Sequence, residues 1–198
     1  MNKKELSRKR NLFLIGSARG VKRFFIVNKF IQEFPDAKVI NTGNLIQKLI
    51  NGLGFKDLDS ISIINYYKLI EPMFVEIILS HLEHSDVILD THYYYLIPGM
   101  SIKEILKFKN KIKNTILVLV EENEEEIIQA NNQEWFKSIK NVEEDIILNK
   151  YSFYNYEKIF KDFSNVYSIS INLNKDYEDK LKLIIEKIKN MGEIKNGN

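Results

Sequence analysis

The stretch NLFLIGSARGVKRFF, residues 11–25, decides how the rest of the chain is read. Its apolar run, Leu12 to Ile15, stops at Gly16, as a buried strand stops at a turn. Lys22 follows six positions later. From Lys22 onward, Phe24, Phe25, Val27, Phe30, Ile31 and Phe34 recur at helical spacing, and Pro35 ends the pattern. A strand, a short basic turn and a helix are therefore expected in succession. Backbone N–H groups in such a turn, beside a helix N-terminus, form a ready cradle for an anion.

Working outward, Ala37–Ile40, Asp86–Asp90, Thr115–Val120 and Val166–Ile171 read as four further strands. Helical patterns separate them: one over Leu45 to Ile50, and a long one from about Ser60 to His84 with Pro72 as a kink or junction. Others cover Ile102–Lys109, Glu121–Ala130, pieces of 134–164, and Tyr177–Met191. Alternation of this kind predicts an α/β fold, a parallel sheet with helices on both faces. No repeat and no shift in composition marks a linker, so residues 1–198 are expected to form a single domain.

Composition narrows the function classes. The net charge is +2, too small to argue by itself for nucleic acid or an anionic membrane. The absence of cysteine excludes disulfides, thiolate metal sites and a cysteine nucleophile. No apolar run approaches the ~20 residues that span a bilayer. The expectation is a soluble, cytoplasmic protein. The acidic run Glu121–Glu126 reads as a solvated helix start, where carboxylates suit the positive end of the dipole.

Three segments carry chemistry. The first is Gly16, Ser17, Ala18, Arg19, Gly20, Val21, Lys22 and Arg23, set against the phosphate-loop pattern G-x-x-x-x-G-K-[ST]. Lys22 stands where a lysine reaches the terminal phosphates. Val21 replaces the second glycine, and Arg23 replaces the hydroxyl that holds Mg²⁺. The bland alternative is a strand-to-helix turn with surface basic residues. The second segment is Asp90, Thr91 and His92, at the C-terminal end of a strand, where ligands of parallel sheets gather. Asp90 reads either as a Mg²⁺ ligand or as a capping carboxylate beside a packed histidine. The third is Tyr93–Tyr95, a base-stacking loop or a hydrophobic loop packed on the body. With the basic arm Lys3, Lys4, Arg8, Lys9 and Arg10 it would serve a nucleic acid, a reading the weak net charge opposes.

Taken together, the turn, VINTGNLIQKLI (39–50), DVILDTHYYYLIPG (86–99) and TILVLVEENEEEI (115–127) resemble the archaeal type of adenylate kinase over about residues 11–190. The resemblance implies the three-layer fold of P-loop nucleoside monophosphate kinases, a five-stranded parallel sheet in the order 2-3-1-4-5. It implies phosphoryl transfer from ATP to AMP with Mg²⁺. Gly16 to Arg23 would hold the ATP phosphates, with Lys22 and Asp90 as the catalytic pair and Asp90 beside the metal. Thr42, Gly43, Thr91 and His92 would border the monophosphate, and Lys137 and Lys140 would act from a helical lid around 131–140.

The departures leave two outcomes open. Arg8, Arg10, Arg19 and Arg23 are the only arginines, so none lies beyond the first helix. The segment GFKDLDSISII (54–64) and the lid stretch NNQEWFKSIKN (131–141) carry none. Lysine brings charge without the bidentate fork. Losing one such contact costs about 3 kcal/mol of barrier, a hundredfold or more in rate. The chain is then either an adenylate kinase-like enzyme or a relative that keeps the fold as a nucleotide-binding or protein-interaction module.

Overall fold

The computed structural model describes residues 9–54, 60–93, 102–131 and 142–193. The lid, with Lys137 and Lys140, lies outside them, as do Tyr94, Tyr95, the Pro98–Gly99 turn and the basic residues of the arm before Lys9.

Five strands form one sheet: β1 (Arg10–Ser17), β2 (Lys38–Asn41), β3 (Val87–Thr91), β4 (Ile112–Glu121) and β5 (Asn165–Asn172). Their order is β2-β3-β1-β4-β5, and every pairing is parallel. The helices are α1 (Phe24–Glu33), α2 (Thr42–Gly52), α3 (Ser60–Leu82), α4 (Ile102–Leu106), α5 (Glu124–Asn131), α6 (Val142–Lys161) and α7 (Tyr177–Glu193). Pro72 lies inside α3 without dividing it into two helices.

The period of two along β1 builds both faces. Leu12 and Leu14 enter one core with Ile46 of α2, Phe74 and Ile78 of α3, and Phe153 and Tyr156 of α6. Phe13 and Ile15 enter the other with Ile26 and Phe30 of α1 and Ile184 and Ile188 of α7. This is why the Leu12–Ile15 run is apolar at every position. The expected three-layer α/β architecture and strand order are both observed.

The topology also places the site. After β1 the chain turns toward the α1 and α7 face; after β3 it returns through α4 on the opposite face. The ends of β1 and β3 are adjacent, with Ile15 paired to Asp90 and Gly16 to Thr91. A crevice opens where neighbouring strands send their chains to opposite faces. Helix α6 contributes to both cores, through Ile146 on one side and Phe153 on the other, and so passes close to that end of the sheet.

Candidate functional site

The turn after β1 has its left-handed position at Gly20, φ 85°, where a side chain would be strained. Helix α1 begins at Phe24, two residues later than the periodicity predicts, and Arg23 is its N-cap residue without a side-chain capping bond. Val21 is not in the way of the turn. Its side chain is buried with Ala18, Val120 and Ile127 in the α1 and α7 core.

Two of the turn's backbone donors are already taken by carboxyl groups. The Arg19 N–H donates to Asp145 Oδ2 at 2.7 Å, and the Lys22 N–H donates to Glu122 Oε2 at 3.1 Å. Asp145 is buried in the first turn of α6, and Asn149 Nδ2 donates to its side chain and its carbonyl. Burial pushes the Asp145 carboxyl above the usual aspartate range, against the pull of the Arg19 amide. The Glu122 side chain is 4% exposed. Lys22, half-exposed, places Nζ 3.3 Å from Glu122 and 3.4 Å from Glu126; the Glu122 hydrogen bond raises its pKa. The acidic run is therefore only partly the solvated helix start expected: Glu124–Glu126 open α5, while Glu122 reaches the turn.

Arg23 turns its side chain toward the end of β3. Its Nε donates to Asp90 Oδ1 at 2.5 Å, with the two side chains 15% and 19% exposed. Its Nη1 donates to Ser17 Oγ at 3.2 Å and lies 3.2 Å from His92 Nε2. The other carboxylate oxygen, Asp90 Oδ2, accepts from Asn41 Nδ2 at 2.6 Å, and Asn41 Oδ1 caps α2 through the Asn44 N–H. His92 Nδ1 lies 2.8 Å from the Ser17 carbonyl, so Nδ1 carries the proton and Nε2 accepts from Arg23. Burial, and then the Arg23 charge, push the His92 pKa down to about 3, which keeps the imidazole neutral.

Thr42 and Thr91 are buried and bonded to each other, Oγ1 to Oγ1 at 3.1 Å, and Gly43 follows in the first turn of α2. Tyr93 is fully buried. Its O–H reaches the carbonyls of Leu14 at 2.6 Å and Val118 at 3.0 Å, and its ring packs edge-on to Phe153. A Cβ on Gly16 would meet the Tyr93 ring at 2.6 Å. Gly16 therefore serves the packing of Tyr93 directly, and of the two sequence readings of Tyr93 the packed one is observed.

Mg²⁺ at Asp90 was the expectation that the resemblance carried. The residues present do not fit it. The hydroxyl position holds Arg23, and its guanidinium stands against the carboxylate that would meet the metal. The structure joins Ser17, Arg23, Asp90 and His92, read from the sequence as parts of separate subsites, in one network. Sequence reasoning missed Asp145, Glu122 and Asn41. Asn41, directly before Thr42-Gly43, carried a signal as a helix-capping residue; Asp145 lies 126 residues from its partner and carried none.

The strand order and the strand–turn–helix opening define a three-layer α/β fold around a five-stranded parallel sheet. The sequence matches no protein-family model and no curated protein. Among solved structures it is similar to shikimate kinase from Acinetobacter baumannii in complex with shikimate, at 12% identity and a TM-score of 0.49, covering 96% of this chain and 98% of that one. Among the described residues, no helix is long and apolar enough to cross a membrane.

Proposed function

We propose that this chain is a catalytically silent relative of the P-loop nucleoside monophosphate kinases, of the adenylate kinase type its motif order resembles. It acts as a binding module on one domain, residues 1–198. The observation that carries the reading is the pair of carboxylates on the turn. Asp145 and Glu122 accept the Arg19 and Lys22 amides, the donors that a phosphate oxygen would need.

Two further observations support it. The hollow beside the turn, about 170 Å³, has an acidic lining: Glu121, Glu122 and Glu124 against Lys150. A triphosphate entering there meets like charge. The Lys22 ammonium, which would serve the terminal phosphates, is held by Glu122 and Glu126 instead. With no arginine beyond position 23, the charge of a moving phosphoryl group has no fork to stabilise it.

Calorimetric titration with ATP and with AMP, with and without Mg²⁺, tests the reading, beside a coupled assay of ADP formation. The expected result is no saturable ATP binding at millimolar concentration and a turnover equal to that of Lys22→Ala. Mg²⁺-dependent turnover that Lys22→Ala abolishes would restore the enzyme reading, with ATP and AMP as substrates.

A further inference from the structure

Three acceptors converge on the Arg23 guanidinium: Asp90 Oδ1, Ser17 Oγ and His92 Nε2. They come from three places in the sequence and are held independently of Arg23. Asp90 is fixed by Asn41 through its second oxygen, and His92 by the Ser17 carbonyl through its second nitrogen. Ser17 ends β1 and is fully buried. A carboxylate, a hydroxyl and a neutral imidazole, each oriented by a second partner, are a ligand set for a divalent cation.

We propose that Arg23 is a covalently attached substitute for a metal ion, filling a cation site whose ligands are still in place. Two consequences follow. The natural chain takes up no divalent cation at this end of the sheet, because the Arg23 guanidinium already fills the site with positive charge. Removing the guanidinium uncovers a site with one nitrogen donor, which suits Co²⁺, Mn²⁺ or Zn²⁺ better than Mg²⁺, a cation of all-oxygen sites. The inference does not rest on the proposed loss of catalysis: a kinase that works without metal would carry the same substitution.

The test is a metal titration of the full chain with no nucleotide present. Co²⁺ is added to the wild type, Arg23→Thr, Arg23→Ala and Arg23→Thr combined with Asp90→Asn. Visible absorbance reports coordination, and thermal unfolding reports linkage. The expected result is no saturable binding to the wild type, and one Co²⁺ per chain in both single variants, at least tenfold tighter than Mg²⁺. The double variant should lose it, and the metal should raise the melting temperature of the single variants only. Stoichiometric Co²⁺ binding by the wild type that Asp90→Asn removes would overturn the proposal. So would folded single variants without added affinity. A variant unfolded without metal supports the proposal if Co²⁺ restores its fold and refutes it if Co²⁺ does not. Nucleotide titration stays separate, so failure here and failure of the silent-kinase reading are read from different experiments.

Discussion

The two ends of strand β3 each present an aspartate to the sheet edge, and the chain answers them differently. Asp86, just before β3, accepts the Asn11 N–H at 2.9 Å and Asn11 Nδ2 at 2.8 Å. Asn114 then donates to Asn11 and Asn165 to Asn114, so an amide ladder crosses β1, β4 and β5. Every donor there is neutral. At the other end Asp90 has one amide partner, Asn41, and one ion, Arg23. A neutral ladder fixes register and leaves no cation to exchange. A carboxylate answered by a guanidinium, in a crevice, is a place where a ligand's charge has been replaced by the protein's own. The contrast separates an edge built for the fold from an edge inherited from a site.

Removing the ion breaks the contrast most severely. Arg23→Ala leaves the Asp90 charge with only Asn41, and about 3 kcal/mol of stability should be lost in urea unfolding. Arg23→Ala combined with Asp90→Asn should recover more than half of that, because the uncompensated charge is gone. Equal losses in the single and double variants would mean that Arg23 stabilises by packing alone. Next comes the turn itself. Gly16→Ala forces a Cβ into the Tyr93 ring, which is pinned by its O–H and by Phe153, and should cost roughly 2–3 kcal/mol. Pairing it with Tyr93→Leu should relieve part of the cost. A Gly16→Ala protein of unchanged midpoint would show that Tyr93 can move aside.

The third effect is proton-linked and belongs to the ionic edge alone. Folding lowers the His92 pKa from its ordinary value near 6.5 to about 3. The unfolded chain therefore takes up the proton first, and stability falls as pH drops from about 6.5 toward 3. Between pH 7 and pH 5 the loss from this one group should be about 2 kcal/mol. His92→Gln should flatten that part of the profile. A wild-type profile parallel to that of His92→Gln over this range would show His92 to be solvated in the folded state.

These cases also show what the residues disclose before folding. Strands β1, β3 and β4 are legible because burial on both faces demands unbroken apolar runs. The starts of β1 and β5 are not, because Arg10, Asn11 and Asn165 join the sheet through backbone and amide bonds that leave no hydrophobic pattern. The start of α1 was placed too early because side-chain periodicity does not reveal that Glu122, 100 residues away, takes the Lys22 amide. Of the two readings of Pro72, a kink or a junction between two helices, the junction is overturned, since one helix runs through it. In the site, spacing marks the strand ends that carry Ser17, Asp90 and His92. It cannot mark that Arg23 lies on Asp90, a contact 67 residues apart that tertiary structure alone creates.

The smallest effect sharpens the comparison from the neutral side. Asn114→Ala removes the middle of the ladder, strands Asn11 Oδ1 and the Asn165 side-chain amide, and keeps every charge on the edge unchanged. The half-buried Asn11 Oδ1 loses its donor, while Asn165, at the exposed start of β5, can turn to water. A loss of about 1–2 kcal/mol is expected. It should be the same at pH 7 and pH 5 and unaffected by Co²⁺, because no titrating group and no cation ligand is touched. Urea midpoints at both pH values, with and without metal, make the measurement. A loss that changes with pH or metal would mean that the two ends of the sheet are coupled through β1. The neutral edge would then be part of the same device as Arg23, since Leu12 to Gly16 is the segment of that strand between Asn11 and Ser17.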